Sequence, residues 1–319
     1  MSGISSLGSP LVIQPSSLAE AVSQQLDTTG GGAGVGPQLQ LQHGTPQGLD
    51  YDETHREFLT TYYNDDGVTL SIQGEAGTDE SGVRLGGGDG FDPPGKGGGV
   101  ATDGEYVYVA DGGELYVYSR AEIHAAAEAR DGRTVVPEYV KGDIAAGSYV
   151  EVKDGKLYVG DFNTPPDGPF EKYQGEPHLY QYDIDNGVVA DHPNWEVRTP
   201  YYVQDVAITD QGLLYSRSYS NKDYSPHYLT MQEGDPLSGD LEPWEDARNV
   251  RDIPYYSEGI SVLDNGDVYV IHESGSYNLN GDSSDTHVQR TSLDELAAIG
   301  GPQDPPEPES FWDRLWPFS

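Results

Sequence analysis

The chain of 319 residues carries 54 Asp and Glu against 17 Lys and Arg, a formal charge of −37, which excludes partners held by attraction to phosphate or anionic lipid. It has no cysteine, so disulfides, thiolate metal sites and thiol catalysis are ruled out, and no apolar run approaches the roughly 20 residues that a membrane-spanning helix needs. Forty-one Gly, 22 Pro and 23 Tyr beside 6 Phe suit neither a helical bundle nor a disordered acidic chain, because apolar blocks recur throughout.

Residues 1–37 read as an N-terminal arm. An apolar LVI at Leu11 to Ile13 precedes SSLAEAVSQQL, where Ser17 and Glu20 make a capping box and Leu18, Ala21, Val22 and Leu26 share one helical face. TTGGGAGVG then forms a hinge. No basic residue precedes Arg56, so a charged export leader is not expected. LQLQ, Leu39 to Gln42, reads as a lone strand.

From here a repeat organises the chain. Its units begin at Gln47, Gly98, Ser148, Gln204 and Glu258, spaced 51, 50, 56 and 54 residues apart. Each is an apolar strand, an Asp- or Gly-bearing turn and a second apolar strand. The turns fall in one phase at Asp103-Gly104, Asp154-Gly155, Asp210-Gln211-Gly212 and Asp264-Asn265-Gly266, a strong hairpin signal. The first unit carries the longer DETHRE instead. A third strand follows each hairpin, starting at Val68, Glu114, His178, His227 and His287. A fourth is expected at 83–85, 134–140, 195–200 and 249–254.

The fifth unit lacks a fourth strand, and LQLQ is expected to supply it and close the ring, removing exposed edges. The fold class is therefore all-β: a five-bladed β-propeller over residues 38–296, closed by an N-terminal strand. Residues 297–319 form a Pro-rich spacer and an aromatic tether. Phe311, Trp312, Leu315, Trp316 and Phe318 there, with Leu11, Ile13, Leu18 and Val22 in front, are the candidate partner-docking residues, since exposed aromatics anchor interfaces.

Propellers bind ligands where the innermost strands converge. Unit starts and the ends of second strands meet at that mouth, which makes Gln47, Tyr62, Tyr63, Asp111, Asp161, Asn163, Gln204, Arg217, Tyr219, Glu258, His272 and Glu273 the candidate ligand-binding set. Rings to stack on and carboxylates and amides to bond hydroxyls suit a sugar. Asp205 with Glu258 is the best carboxylate pair for glycoside hydrolysis. Glu258, Asp161 and Asn163 could hold a divalent cation. No other cofactor is called for, and Walker, G-x-S-x-G, H-E-x-x-H and EF-hand motifs are missing.

The phrases TPQGLDYD, GGGVATDGEYVYVADGGELYVYS and YSEGISVLDNGDVYVIHESG resemble secreted bacterial and archaeal β-propellers of the lyase/lactonase-like superfamily, over roughly residues 43 to 296. That resemblance implies fold far more than activity. Repulsion at this charge eases in molar salt, where the Debye length is roughly 3 Å, so a halophilic archaeon or its virus is the expected source. The main functional expectation is a non-enzymatic virion protein, a spike, turret or tail decoration on the virion surface. Its arms would join other structural proteins of an oligomeric assembly, and its propeller face would contact host glycan or protein. The alternatives are a hydrolase or lyase acting on a carbohydrate or lactone, and a binding protein of the archaeal cell surface.

Overall fold

The computed structural model describes residues 34–75, 80–166, 171–219, 227–254, 256–273 and 287–298. The candidate docking residues of both arms lie outside them. Within them the repeat folds as expected, into five sheets that form a five-bladed propeller. Blade 1 runs Thr45–Asp52, Glu57–Asn64, Gly67–Gly74 and Glu80–Leu85 from the axis outward. Blade 2 begins with Gly99–Thr102, Tyr106–Asp111 and Glu114–Ser119. Blade 3 uses Tyr149–Lys153, Lys156–Gly160, His178–Asp185 and Trp195–Arg198. Blade 4 uses Val203–Thr209, Gly212–Arg217, Tyr228–Asp235 and Arg248–Asp252. Blade 5 uses Ser257–Val262, Asp267–His272 and His287–Ser292. Blade 3 shows the turn chemistry most plainly. Lys153 pairs with Lys156, and Asp154 and Gly155 between them take φ of 52° and 69°, the primed turn that matches strand twist.

Three details differ from expectation. The strand that closes blade 5 is Gly34–Gln38, pairing Gly34 with Arg290 and Gln38 with His287. LQLQ instead crosses from that strand to blade 1. Leu39 is buried in the seam with Leu49, Phe58, Tyr62 and Ile271, and the Gln40 amide donates to the Tyr62 hydroxyl at 3.0 Å. The segment 134–140 divides its two halves between blades. Thr134–Val135 pairs in parallel with the outer strand of blade 1, and Tyr139–Lys141 forms the outer strand of blade 2. Between blade 2's third strand and that segment lies a helix, Arg120–Ala129, which buries Ile123, Ala126 and Ala127. A second helix, Leu293–Ala298, buries Leu296 against blades 4 and 5.

The inner strands touch one another in ring order, blade 5 against blade 1 included. Leu49, Val100, Val150, Val206 and Ile260 occupy one equivalent position and are fully buried in the seams between blades. One position earlier, in blades 1, 2 and 5, the backbones come too close for a side chain, whereas blade 3 buries Tyr149 there. A Cβ at Gly48 would lie 2.6 Å from the Val100 amide of blade 2, at Gly99 2.5 Å from the Val150 amide of blade 3, and at Gly259 2.4 Å from the Leu49 amide of blade 1. Blade 4 has Asp205 at this position, and its carboxylate accepts from the Ile260 amide of blade 5 at 3.0 Å.

Gly99→Ala is expected to cost about 1–3 kcal/mol by wedging blades 2 and 3 apart. Gly74→Ala, where nothing lies within 4 Å, should stay within about 0.5 kcal/mol of the parent. Urea unfolding of the two variants checks the contrast.

Candidate functional site

In an up-and-down blade the first strand starts, and the second ends, at the same face of the ring. That geometry gathers Gln47, Gln204 and Glu258 from the inner strands with Tyr63, Asp111, Tyr219 and Glu273 from the ends of second strands. Together they line a cleft of about 550 Å³ at the channel mouth.

On one side lies a glutamate pair. Gln47 Nε2 donates to Glu273 Oε1 at 2.7 Å, whereas Glu258 Oε1 accepts only a longer bond from Gln204 Nε2 at 3.3 Å. Burial pushes the Glu258 carboxyl well above the ordinary range, the charge of Glu273 adds to this, and Lys96 partly offsets it. Burial raises Glu273 too, but the Gln47 bond and Lys96 work against it. Both carboxyls are thus shifted toward the protonated form, Glu258 the more strongly.

An aromatic wall shares the lining. Phe162 packs against Tyr173 and Tyr219 with ring centroids 5.5 and 5.2 Å away, and Tyr173 and Tyr219 are 6.1 Å apart. Phe162 and Tyr173 come from the one connection between blade 3's second and third strands and Tyr219 from the loop after blade 4's second strand, and Tyr256 extends the lining beside Glu258. The rim carries two cations, Lys96 and Lys172. Asp111 does not face an open ligand position. Its carboxylate accepts from the amides of Gly95, Lys96 and Gly97 at 2.7, 3.0 and 3.1 Å, fixing the loop that presents Lys96.

The other candidate positions sit behind this lining. Tyr62 is buried in the blade 5–blade 1 seam. Arg217 donates to the Tyr201 carbonyl at 2.9 Å and to Thr230 Oγ1 at 3.2 Å, and burial lowers its pKa to about 10. His272 is fully buried, with Nδ1 2.9 Å from Ser257 Oγ. Asp205 is 1% exposed and bonded to backbone amides of its own and the next blade, so the structure pairs Glu258 with Glu273 at the cleft. Asp161 and Asn163 are not part of the cleft lining. Among the described residues no group of three or more His, Asp or Glu is arranged to hold a metal ion. The proposed cation set with Glu258 is thus not gathered, and no step is derived through a metal. No helix among the described residues is long and apolar enough to cross a membrane.

Lys96, Lys172, Tyr173 and Tyr256 were missed because they lie on connecting loops, outside the repeat phase. The one signal available was rarity: the chain has only six lysines, and two of them are here.

No protein-family model and no curated protein matches the chain. Solved structures do. The PQQ-bound aldose sugar dehydrogenase of Streptomyces coelicolor is 13% identical, with TM-score 0.48, over 82% of this chain and 98% of that one. The glutaminyl cyclase of Myxococcus xanthus is 14% identical, with TM-score 0.45, over 75% and 91%. The gluconolactonase XC5397 of Xanthomonas campestris is 15% identical, with TM-score 0.41, over 75% and 72%. At such identities no substrate or mechanism passes to this chain. The expectation of a non-enzymatic virion decoration is nonetheless corrected. These matched propellers are named as enzymes, not virion components, and the mouth is a concave, acid-bearing cleft.

Below the cleft three more carboxyl groups, Asp50, Glu151 and Asp205, are buried, which raises the pKa of each; the charge of Asp50 adds to the rise at Glu151 and Asp205, and that of Asp205 to the rise at Glu151. Asp50 accepts from the Thr102 amide of blade 2 at 2.7 Å, yet burial lifts its pKa from 3.8 to about 7. The folded chain thus holds a proton that the unfolded chain has released, so this group's stabilisation is full below the unfolded value and is lost as pH rises through the folded one. Stability is expected to fall as pH rises from about 4 to about 7. Asp50→Asn should flatten that fall, as read from urea midpoints at the two ends.

Proposed function

We propose that the chain is a propeller hydrolase or lyase acting on a carbohydrate or lactone at the ring mouth. Glu258 is the general acid and Glu273 its ionised partner. The observation that carries this reading is the unequal bonding of two buried carboxyls that both feel Lys96: Gln47 holds Glu273 at 2.7 Å against the rise that burial gives it, whereas Glu258 has the longer 3.3 Å bond from Gln204 and is raised further by the charge of Glu273. Two carboxyl groups in opposite states are what acid–base cleavage of a C–O bond requires.

In glycoside cleavage Glu258 gives its proton to the leaving oxygen while Glu273 activates water or attacks the anomeric carbon. In lactone opening Glu273 takes a proton from the attacking water and Glu258 protonates the departing alkoxide. In elimination Glu273 takes the C–H proton and Glu258 again serves the leaving oxygen. The wall of Phe162, Tyr173 and Tyr219 gives a sugar ring an apolar face to lie on.

The test is a screen of chromogenic glycosides, lactones and uronate-containing polysaccharides with the full chain. On any substrate turned over, Glu258→Gln and Glu273→Gln are each expected to lower kcat by about 10²–10⁴-fold, with melting temperature close to the parent's. Full turnover in both variants would overturn the assignment.

A further inference from the structure

In a chain with 54 acidic and 17 basic residues, a lysine finds a carboxylate almost anywhere. Three of the five described lysines do: Lys141 with Asp191 at 3.5 Å, Lys153 with Asp264 at 3.0 Å, and Lys156 with Asp183. Lys96 and Lys172 are the exceptions. Neither has an ion pair among the described residues, and both line the cleft. Each instead stands over a tyrosine ring, Lys96 Nζ at 5.4 Å from the Tyr63 centroid and Lys172 Nζ at 4.9 Å from that of Tyr173. Asp111 spends its carboxylate on positioning the Lys96 loop rather than on neutralising the ammonium.

Cations on tyrosine faces remain mainly hydrated while the cleft is open. A neutral sugar lying on the aromatic wall would cover them, strip that water and return no counter-charge, which is costly. A sugar bearing a carboxylate supplies the missing partner through charge-assisted hydrogen bonds. We infer that the cleft takes a uronate, a sugar whose ring lies on Phe162, Tyr173 and Tyr219 and whose carboxylate is met by Lys96 and Lys172. The inference rests on the carbohydrate reading above and narrows its substrate class. It also supplies a division of labour. Lys96 favours ionised Glu273 as well as the substrate, whereas Lys172, on the wall itself, touches Tyr173, over its ring and through a 3.4 Å bond to its hydroxyl, and pairs with no carboxylate among the described residues.

The test uses the full chain and a panel of galacturonate, glucuronate and mannuronate oligosaccharides, each paired with its methyl ester, which keeps the ring and removes the charge. Binding is measured by calorimetry at low and at molar salt. At least one acid is expected to bind about tenfold tighter than its ester at low salt, with the preference shrinking as salt rises. In Lys96→Met/Lys172→Met the acid-to-ester ratio should approach unity. Equal or tighter binding of every ester, or a preference untouched in the double variant, overturns the inference. So does binding of sulfated sugars in preference to uronates. Turnover of a neutral glycoside by an enzyme that shows no acid preference would sink the uronate assignment and leave the acid–base reading standing. An acid preference that persists while Glu258→Gln and Glu273→Gln both keep full turnover would do the reverse.

Discussion

Five strands meeting around one axis leave little room between their backbones, and most of this structure follows from that crowding. Gly48, Gly99 and Gly259 are where neighbouring blades approach within a Cβ's reach of each other's amides. Asp205 fills the equivalent place in blade 4 by turning its carboxylate onto the backbone of blade 5. Asp50, lower on its strand, does the same toward blade 2. Because every blade runs up and down in the same order from the axis outward, all five inner strands start at one face, so that residues separated by more than 200 positions, such as Gln47 and Glu273, become hydrogen-bonded neighbours.

The same compactness governs the electrostatics. Most of the described acidic residues are exposed or half-buried, where solvent screens their charge. The few at and below the mouth differ because water is excluded there. Desolvation penalises the charged form, and each ionised neighbour adds to that penalty. Burial raises the pKa of both Glu258 and Glu273, and Glu258 the further, because Gln47 reaches Glu273 and only a longer bond from Gln204 reaches Glu258.

The repeat was legible because its signals are local. Asp154-Gly155 between two apolar runs specifies a hairpin without knowledge of the rest of the chain, and its recurrence in phase specifies the blade. The face on which Gln47, Gln204, Glu258 and Glu273 meet followed from that phase. The closing strand was misplaced because alternating Leu39 and Leu41 look like a strand, while the packing that makes them a crossing involves blade 5, far off in sequence. Asp205 read as a catalytic candidate because its amide partner lies on another blade. Lys96 and Lys172 come from loops with no period, and loops are where a repeat ceases to inform. Acidity and aromatic arms suggested a virion protein because they report on solvent and association, not on chemistry at the axis.

The proton on Glu258 is the point on which the acid–base account turns. Infrared difference spectroscopy of the full chain against Glu258→Gln, at neutral pH, reads it directly. The account predicts a protonated carboxyl C=O band present in the parent and lost in the variant. A difference spectrum showing only ionised carboxylate stretches would contradict it.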